Sequence, residues 1–249
     1  MMNFELLVDL HINEYRQGPG SEKETLKALS FLEFIETSDL KVADIGCGTG
    51  ASTIALAKKI NAKITAIDLF PQFLDILKEN AKKENVDDKI ETLEGSMTDL
   101  PLQEASFDIL WSEGAIYNMG FAEGVKQWKK FLKKGGYLCV SEITWTTPSR
   151  DQEIDEYWKV NYPEVGTASD KIKILEENGY SPVGYFFLSQ DSWIKEYYQP
   201  LINSFSNFLE RHNNSEDAQL IVKETQAEID LYMKHKDVYS YGFYVARKV

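Results

Sequence analysis

The chain has 249 residues, a net charge of −13 at pH 7 and two cysteines. A net charge this negative repels phosphate backbones and anionic lipid surfaces. We therefore do not expect nucleic acid or membranes as partners. Two cysteines do not make a disulfide framework, no apolar run approaches the length of about 18 residues that spans a bilayer, and no basic leader opens the chain. We therefore expect a cytoplasmic protein that acts on a small molecule; its oligomeric state stays open.

The N-terminal region contains a loop followed by a helix. The first twenty residues lack a regular period, and Ser21 with Glu24 three positions later indicates a helix start with a capping box. The apolar face of this helix carries four side chains: Leu26, Leu29, Leu32 and Ile35. The loop before the helix contains Tyr15 and Arg16, and we expect it to fold over a bound ligand. A solvated connection is the alternative.

A glycine-rich turn organises the chain. The strand predicted over residues 42–45 ends in three glycines spaced two apart: Gly46, Gly48 and Gly50. Glycines let the backbone turn tightly and approach a ligand, and the helix predicted over 51–60 offers free amide groups and its positive dipole end to an anion. A second strand, predicted over 63–69, contains Asp68 about 20 residues after Gly46, the spacing typical of a carboxylate that binds ribose hydroxyls. Together these features indicate a βαβ nucleotide-binding unit.

Strands and helices continue to alternate along the rest of the chain. The predicted helices cover 70–84, 125–134 and 168–178, and the predicted strands cover 89–94, 107–112, 137–143, 183–188 and 238–245. The apolar run over 107–112 is long enough to be buried on both faces. Repeated βαβ units with continuous apolar strands favour an α/β fold with a parallel, doubly wound sheet.

Two insertions interrupt this alternation. Residues 145–166 form the first, and two helices predicted within 191–236 form a lid before the last strand. We expect one domain over 1–249, with a core of about 21–190 plus 237–249. Both insertions leave the carboxyl edge of the sheet, where ligands of open α/β sheets bind, so their aromatic residues predict an apolar, aromatic substrate pocket. The expected substrate-binding residues are Tyr15, Arg16, Trp145, Trp158, Trp193 and Tyr198. The alternative places these aromatic side chains in the core of the lid itself.

The motifs resemble those of one known family. The run Asp44-Ile-Gly-Cys-Gly-Thr-Gly50 looks like the first motif of the class I S-adenosylmethionine-dependent methyltransferases. Asp68 matches the acidic residue that ends their second strand, residues 95–101 resemble their third-strand loop, and residues 132–138 resemble the run before their fifth strand. The resemblance covers about 41–145 and is closest to small-molecule enzymes of the quinone-biosynthesis type, the methyltransferase type 11 group. It implies a Rossmann-like sheet of seven strands with the last strand antiparallel.

The resemblance implies S-adenosylmethionine as the cofactor and gives a role to each motif. Asp44 would accept a hydrogen bond from the cofactor's ammonium group, directly or through water, Asp68 would bind the ribose diol, and Leu69 would pack on the adenine. Ser96 replaces the usual aspartate after the third-strand glycine, so backbone groups near Ser96 and Met97 would hold the adenine. The expected cofactor-binding residues are Asp44, Gly46, Cys47, Gly48, Gly50, Asp68, Leu69, Ser96, Met97 and Glu113.

The catalytic requirement is modest. Methyl transfer from a sulfonium is an in-line displacement, in which positioning the two reactants supplies most of the catalysis. A general base is needed only when the nucleophile starts protonated. Glu113, after the fourth strand, is the first candidate, with Tyr15 and Tyr117 as further ones; a structural carboxylate is the alternative for Glu113. No cluster of ligating side chains has the spacing of a metal site, so no metal is expected.

We therefore expect transfer of a methyl group to a small, partly apolar or aromatic metabolite. Two other functions stay open. A non-catalytic S-adenosylmethionine-binding protein would share the same motifs. A nicotinamide-dependent dehydrogenase would use Gly46, Gly48 and Ala51 as its fingerprint, but the sequence shows no Tyr-Lys or His-Asp pair for hydride chemistry. The acceptor, and whether the methyl group goes to oxygen, nitrogen, carbon or sulfur, is left open.

Overall fold

The fold is a mixed, mostly parallel sheet flanked by helices. A computed structural model of the chain describes residues 4–33 and 39–249. Ile35, which the sequence places on the apolar face of the first predicted helix, lies outside the described residues. The expectation that residues 1–249 form one domain stays a prediction.

Seven long strands and one short strand form the sheet. They are β1 (Leu40–Ile45), β2 (Ala62–Asp68), β3 (Ile90–Glu94), β4 (Phe107–Ser112), β5 (Leu132–Trp145), the two-residue β6 (Gly166–Thr167), β7 (Tyr180–Phe187) and β8 (Tyr239–Lys248). The order is β3-β2-β1-β4-β5-β8-β7, with β6 paired to β5. Strand β8 runs antiparallel to both of its neighbours, β5 and β7, while the strands from β1 to β5 run parallel. The doubly wound, seven-stranded Rossmann-like sheet with an antiparallel last strand is thereby confirmed.

Helices cover both faces of the sheet and one of its edges. They are α1 (Phe4–His11), α2 (Glu22–Leu29), α3 (Ala51–Lys59), α4 (Pro71–Lys83), α5 (Phe121–Trp128), α6 (Gln152–Asn161), α7 (Ala168–Glu177), α8 (Gln190–Trp193), α9 (Gln199–Arg211) and α10 (Glu216–His235). A π-helical turn, Ile194–Tyr198, joins α8 to α9. As the sequence predicts, the Ser21 hydroxyl caps α2 by accepting a hydrogen bond from the amide of Glu24.

Two predictions of secondary structure were wrong. Residues 4–11 form α1, although the first twenty residues show no regular period. The helix predicted over 125–134 spans 121–128 instead, and strand β5 already begins at Leu132. Gly135 and Gly136 serve the strand rather than a helix end: Gly135 has a φ of +77°, and a Cβ on Gly136 would lie 2.9 Å from the carbonyl oxygen of Asp108. The register between β4 and β5 shifts at this point, so the glycine pair allows a bulge.

Alternate residues of the central strands enter two hydrophobic cores, one on each face of the sheet. Val42 and Ile109 belong to one core, and Ala43 and Leu110 to the other; all four side chains are fully buried. Burial on both faces explains why the strands read as continuous apolar runs in the sequence.

The lid has its own small core, and α1 completes it. Leu10 of α1 packs with Leu201 and Phe208 of α9 and with Ala218 and Ile221 of α10. The N-terminal helix is therefore a structural part of the lid, although more than 170 residues separate them along the chain. This packing brings the start of the chain to the carboxyl edge of the sheet.

A buried ion pair joins the sheet to α7. The Lys171 ammonium lies 3.0 Å from the Glu142 carboxylate, and the two side chains are 1% and 0% exposed. Lys171 also donates a hydrogen bond of 2.8 Å to the carbonyl oxygen of Glu164. Burial raises the pKa of Glu142 to about 7, against the opposing influence of Lys171. Removal of either partner leaves the other one buried without compensation.

Lys171→Met should keep most of the side-chain volume and leave Glu142 unpaired. We expect the free energy of unfolding at pH 8 to fall by about 3–5 kcal/mol, the usual cost of breaking a buried pair. Because the folded-state pKa of Glu142 is raised, the folded protein holds this carboxyl group protonated more readily than the unfolded chain. The loss should therefore shrink at pH 5. Urea denaturation at both pH values measures it.

Lys173→Met provides the matched control, because this lysine lies on the same helix with its side chain 72% exposed. We expect it to change the free energy of unfolding by less than about 0.5 kcal/mol. An equal loss for Lys171→Met at pH 5 and pH 8 would contradict a charge-based origin.

Candidate functional site

A cavity of about 530 Å³ opens at the carboxyl edge of the parallel strands. Its volume falls within the range of small-molecule sites. The floor consists of the turn after β1 and the segments that follow β2, β3 and β4. The roof consists of α1, the loop that follows α1, Tyr197 and one face of α10. The cavity therefore lies between the sheet and the combined lid.

The glycines of the turn after β1 make room for other parts of the protein. Gly46 and Gly48 have φ angles of +74° and +55°, a region that side chains with a Cβ disfavour. A Cβ on Gly46 would collide with the side chain of Ala115, and one on Gly48 would collide with the amide group of Gln17. The sequence analysis expects these glycines to make room for a ligand. The structure shows that they also make room for Ala115 and for Gln17, which lies in the roof.

Gln17 fastens the roof to this turn. Its Oε1 accepts a hydrogen bond of 2.8 Å from the amide of Thr49, and its Nε2 donates to the carbonyl oxygens of Glu14 at 2.9 Å and His11 at 3.2 Å. A single side chain therefore caps the turn before α3 and stabilises the loop that covers it. The sequence analysis did not select Gln17, because an isolated glutamine in a loop carries no recognisable signal.

The other amides of the turn also have partners within the protein. Gly46 and Cys47 donate to the carbonyl oxygen of Ile67 at 2.8 and 3.0 Å, and Gly48 donates to Asp68 Oδ2 at 2.8 Å. The amides of these three turn residues are thus already bonded; the free amide groups expected at the start of α3 stay a prediction. The turn therefore contributes its backbone shape to the cavity wall rather than free hydrogen-bond donors.

Asp68 lies at the rim of the cavity with acceptor capacity to spare. Its side chain is 9% exposed, and its Oδ1 accepts a hydrogen bond of 3.0 Å from the amide of Phe70. Each oxygen of a carboxylate offers two lone pairs, so both oxygens can accept one further hydroxyl group. Burial raises the pKa of Asp68, while the backbone amides bonded to it act in the opposite direction. Leu69 beside it is 57% exposed and lines the cavity.

Asp44 does not line the cavity. Its side chain is fully buried, and its Oδ2 accepts hydrogen bonds from Ser52 Oγ at 2.9 Å and Thr53 Oγ1 at 2.6 Å. Its Oδ1 has no hydrogen-bond partner among the residues that the structure describes. Burial raises the pKa of Asp44 to about 7. Asp44 thus ties β1 to the first turn of α3, and this placement does not support a direct contact with a ligand.

The segment after β3 forms another wall of the cavity. Ser96, Met97 and Thr98 all line it. The hydroxyl groups of Ser96 and Thr98 are 2.8 Å apart, and Trp128 Nε1 donates a hydrogen bond of 3.0 Å to the carbonyl oxygen of Met97. These bonds hold the segment in one conformation beside Leu69.

Glu113 and Arg16 form a buried ion pair across the cavity. Arg16 Nη1 lies 2.8 Å from Glu113 Oε2, with the two side chains 5% and 8% exposed. Glu113 Oε1 also accepts from Thr25 Oγ1 at 2.6 Å and from Trp111 Nε1 at 3.0 Å. These three donors occupy both oxygens of the carboxylate and fix its orientation toward Arg16. Arg16 lines the cavity from the roof.

The other two candidate catalytic residues differ in their placement. Tyr117 lines the cavity, packs edge-on against Tyr162 and has a raised pKa because of burial. Tyr15 is 53% exposed and is not part of the cavity lining. A contact between Tyr15 and a ligand in this cavity is therefore not supported.

The four aromatic residues expected to bind substrate lie outside the cavity lining. These residues are Trp145, Trp158, Trp193 and Tyr198. Trp193 stacks on Tyr232 with ring centroids 4.4 Å apart and donates a hydrogen bond of 3.0 Å to Ser240 Oγ. Trp158 packs edge-on against Tyr239 at 5.4 Å. The structure therefore does not support these four residues as substrate contacts in this cavity: Trp145, Trp193 and Tyr198 are buried and Trp158 is half-buried. Of the six expected substrate-binding residues, Arg16 lines the cavity, and its role stays a prediction.

The structure brings three further polar residues, His11, Tyr197 and Glu228, to the roof of the cavity. His11 Nδ1 donates to the carbonyl oxygen of Leu7 at 2.9 Å, which leaves Nε2 to accept from the Tyr197 hydroxyl at 3.2 Å. Burial lowers the pKa of His11, so the ring is neutral at pH 7. Glu228 of α10 faces the same space and accepts a hydrogen bond of 3.0 Å from the Tyr198 hydroxyl. None of His11, Tyr197 and Glu228 belongs to a sequence motif.

The described residues contain neither a cluster for a metal ion nor a helix that could cross a membrane. Within 4–33 and 39–249, no group of three or more histidine, cysteine, aspartate or glutamate side chains is placed to hold a metal ion. None of the helices in these ranges combines the length and the apolar character needed to cross a membrane.

The central part of the chain is similar to known proteins. The family described as "Methyltransferase domain" matches residues 42–136. Erythromycin 3''-O-methyltransferase of Saccharopolyspora erythraea is 36% identical over 105 residues, which cover 41% of this chain and 34% of that protein. The chain spans from a third to about half the length of the first curated relatives it matches.

Two solved structures share the fold at low sequence identity. The S-adenosylmethionine-dependent methyltransferase of Geobacter sulfurreducens, in complex with S-adenosyl-L-homocysteine, has a TM-score of 0.84, 18% identity and 98% coverage of both chains. The [4+2]-cyclase SpnF has a TM-score of 0.77 and 17% identity, and the match covers 98% of this chain and 92% of that one. The same fold thus occurs in a methyltransferase and in a cyclase, and the likeness shows the fold alone.

Gln17→Ala tests the attachment of the roof. The variant removes the acceptor of the buried Thr49 amide, so we expect the free energy of unfolding to fall by about 1–3 kcal/mol. Trypsin should also cleave faster after Arg16, because the loop loses its clamp. Gln152→Ala, an exposed change on α6, is the control. Unchanged stability together with unchanged cleavage would show that Gln17 does not hold the roof.

Proposed function

We propose that this chain transfers a methyl group from S-adenosylmethionine to a small molecule. Residues 42–136 match the methyltransferase domain, and the fold is that of the class I S-adenosylmethionine-dependent methyltransferases. The observation that carries the proposal is the cavity at the carboxyl edge of the strands. Its lining combines the carboxylate oxygens of Asp68, the exposed apolar side chain of Leu69 and the guanidinium group of Arg16. These groups match the sugar, the base and the carboxylate of the cofactor.

The residues present fit this cofactor. The spare lone pairs of Asp68 suit a ribose diol, and Leu69, exposed in the cavity wall, suits the face of an adenine. Ser96 and Met97 line the wall beyond Leu69, as the sequence analysis expects for the adenine edge. Arg16 suits the carboxylate of the methionine part, because guanidinium groups bind carboxylates with good geometry. When bound, S-adenosylmethionine supplies an electrophilic methyl group on a positively charged sulfur.

The protein contributes mainly by positioning the reactants and by excluding water. The roof, fastened by Gln17 and by the ion pair of Arg16 and Glu113, covers the glycine turn. Correct alignment of two reactants lowers a barrier by roughly 7–11 kcal/mol in favourable cases. Such a displacement creates no oxyanion, so a dedicated donor pocket for one is not needed.

Glu113 acts as a positioning residue in this scheme. Its carboxylate is occupied by Arg16, Thr25 and Trp111, and its function is to hold Arg16 in the cavity. This positioning role takes the place of the general base expected from the position of Glu113 after β4, because all three donors already bind its carboxylate oxygens. Tyr117 stays a candidate for contact with the acceptor.

The acceptor is a small molecule with an apolar or aromatic part. Its side of the cavity is lined from the roof by four apolar or aromatic residues: Phe4, Leu7, Val8 and Tyr197. The net charge of −13 disfavours a nucleic acid substrate. A non-catalytic binding protein is the alternative, and formation of S-adenosylhomocysteine with a panel of small metabolites separates the two.

Asp68→Ala should weaken binding of the cofactor product. The carboxylate provides two charged hydrogen bonds to the ribose, so we expect the dissociation constant for S-adenosylhomocysteine to rise at least about tenfold. Titration calorimetry on the full chain measures it. Asp75→Ala, an exposed position on α4, is the control. An unchanged affinity in Asp68→Ala would remove the ribose role.

Glu113→Gln separates positioning from general-base catalysis. For a positioning residue we expect KM for S-adenosylmethionine to rise about tenfold, while kcat falls less than about threefold and the pH profile of kcat keeps its shape. A general base would instead lower kcat by about 10²-fold or more and change that profile. Glu123→Gln, an exposed carboxylate on α5, is the matched control.

A further inference from the structure

The acceptor end of the cavity contains a carboxylate without a cation. Glu228 lies on the face of α10 that forms part of the roof, and the Tyr198 hydroxyl donates a hydrogen bond of 3.0 Å to it. The side chain is accessible through the open cavity, yet it lies deep enough for burial to raise its pKa. Among the residues that the structure describes, no lysine or arginine forms an ion pair with Glu228.

The nearby charged groups do not neutralise Glu228. Arg16, the cation in the cavity lining, is already paired with Glu113 at 2.8 Å. His11 also lines the cavity, but burial lowers its pKa and leaves it neutral. The charge of Glu228 contributes to the raised pKa of Tyr117 and Tyr197, which line the same space. This end of the cavity therefore carries a negative field enclosed by aromatic side chains.

Glu228 is exposed in the open cavity, where water solvates its charge. A ligand that displaces this water must compensate the carboxylate with a cation or a set of donors. One hydroxyl group from Tyr198 satisfies only part of the capacity of the carboxylate. Aromatic rings add an attraction for organic cations in addition to that of the carboxylate. The chemistry of Glu228 with Tyr117 and Tyr197 is thus suited to a positively charged nitrogen rather than to an anion.

We propose that Glu228 forms a cation-binding subsite and that the methyl acceptor is an amine whose nitrogen lies against this carboxylate beside Tyr117 and Tyr197. The inference rests on the proposed function, because it names the acceptor of the same cavity. An alkoxide, thiolate or carboxylate nucleophile would be repelled by Glu228, whereas an amine is drawn to it.

The charge changes of the reaction fit this arrangement. The nitrogen lone pair forms the new carbon–nitrogen bond as the carbon–sulfur bond breaks, and the electron pair of the broken bond goes to sulfur. The amine attacks as the neutral base, because a protonated nitrogen has no lone pair. Positive charge thus moves from sulfur to nitrogen, and after the new bond has formed the methylated ammonium passes one proton to the Glu228 carboxylate. Because the neutral amine becomes positive during the step, Glu228 stabilises the transition state more than the bound amine.

A pair of isosteric probes tests the subsite directly. Choline and 3,3-dimethyl-1-butanol have the same shape, but only choline carries a positive charge. Titration calorimetry on the full chain saturated with S-adenosylhomocysteine should show choline binding at least about tenfold more tightly. Equal affinities of the two probes would overturn the inference, and this comparison needs no variant.

Glu228→Gln assigns the preference to one side chain. We expect the variant to lose at least about tenfold in choline affinity, while its affinity for the neutral probe changes by less than about threefold. Glu224→Gln, an exposed position one turn earlier on α10 and outside the cavity lining, should keep the preference. A choline preference that persists in Glu228→Gln would overturn the role of this residue.

The same titrations separate this inference from the function on which it rests. S-adenosylhomocysteine should bind to the wild type, Glu228→Gln and Glu224→Gln with equal affinity. If it binds to none of them, the proposed function fails, and the inference fails with it. If it binds and choline shows no preference, only the amine subsite is overturned.

Discussion

The ion pair between Arg16 and Glu113 is the contact on which the architecture of the cavity depends. It joins the N-terminal loop to the end of β4, and the side chains of Thr25 and Trp111 complete its hydrogen bonds. A buried pair is weak evidence for net stability, because desolvation offsets much of the attraction. Its clearest effect is geometric, because the charges of Arg16 and Glu113 compensate each other only when the N-terminal loop lies over the floor of the cavity.

The remaining contacts of the roof extend this constraint. Gln17 bonds to the turn after β1, α1 packs into the core of the lid, and the Glu24 carboxylate accepts from the amide of Ser189 at 2.6 Å at the start of the lid. Segments from the two ends of the chain are thus fixed to one edge of the sheet. The cavity therefore forms only when the N-terminal loop, the lid and the sheet are all folded together.

The two ends of the cavity differ in electrostatic character. Near the glycine turn, the carboxylate of Glu113 is paired with Arg16, and Asp68 is bonded to backbone amides. At the far end, Glu228 has only a tyrosine hydroxyl as a partner among the described residues. The difference gives a physical basis for separate cofactor and acceptor sites: the first offers Arg16 to the cofactor's carboxylate group, and the second offers Glu228 to a cationic nitrogen.

The sequence by itself determined the sheet and the half of the site built on it. Continuous apolar runs that alternate with helical segments predict a parallel, doubly wound sheet, and the spacing from Gly46 to Asp68 predicts a sugar site, because these signals are local in the chain. The tertiary structure alone decided the roof. Whether Trp193 lines a pocket or stacks on Tyr232, and whether Glu228 faces solvent or a cavity, depends on how α10 packs against elements far away in sequence. Aromatic composition is the same in both cases, so only long-range packing distinguishes a core from a binding surface.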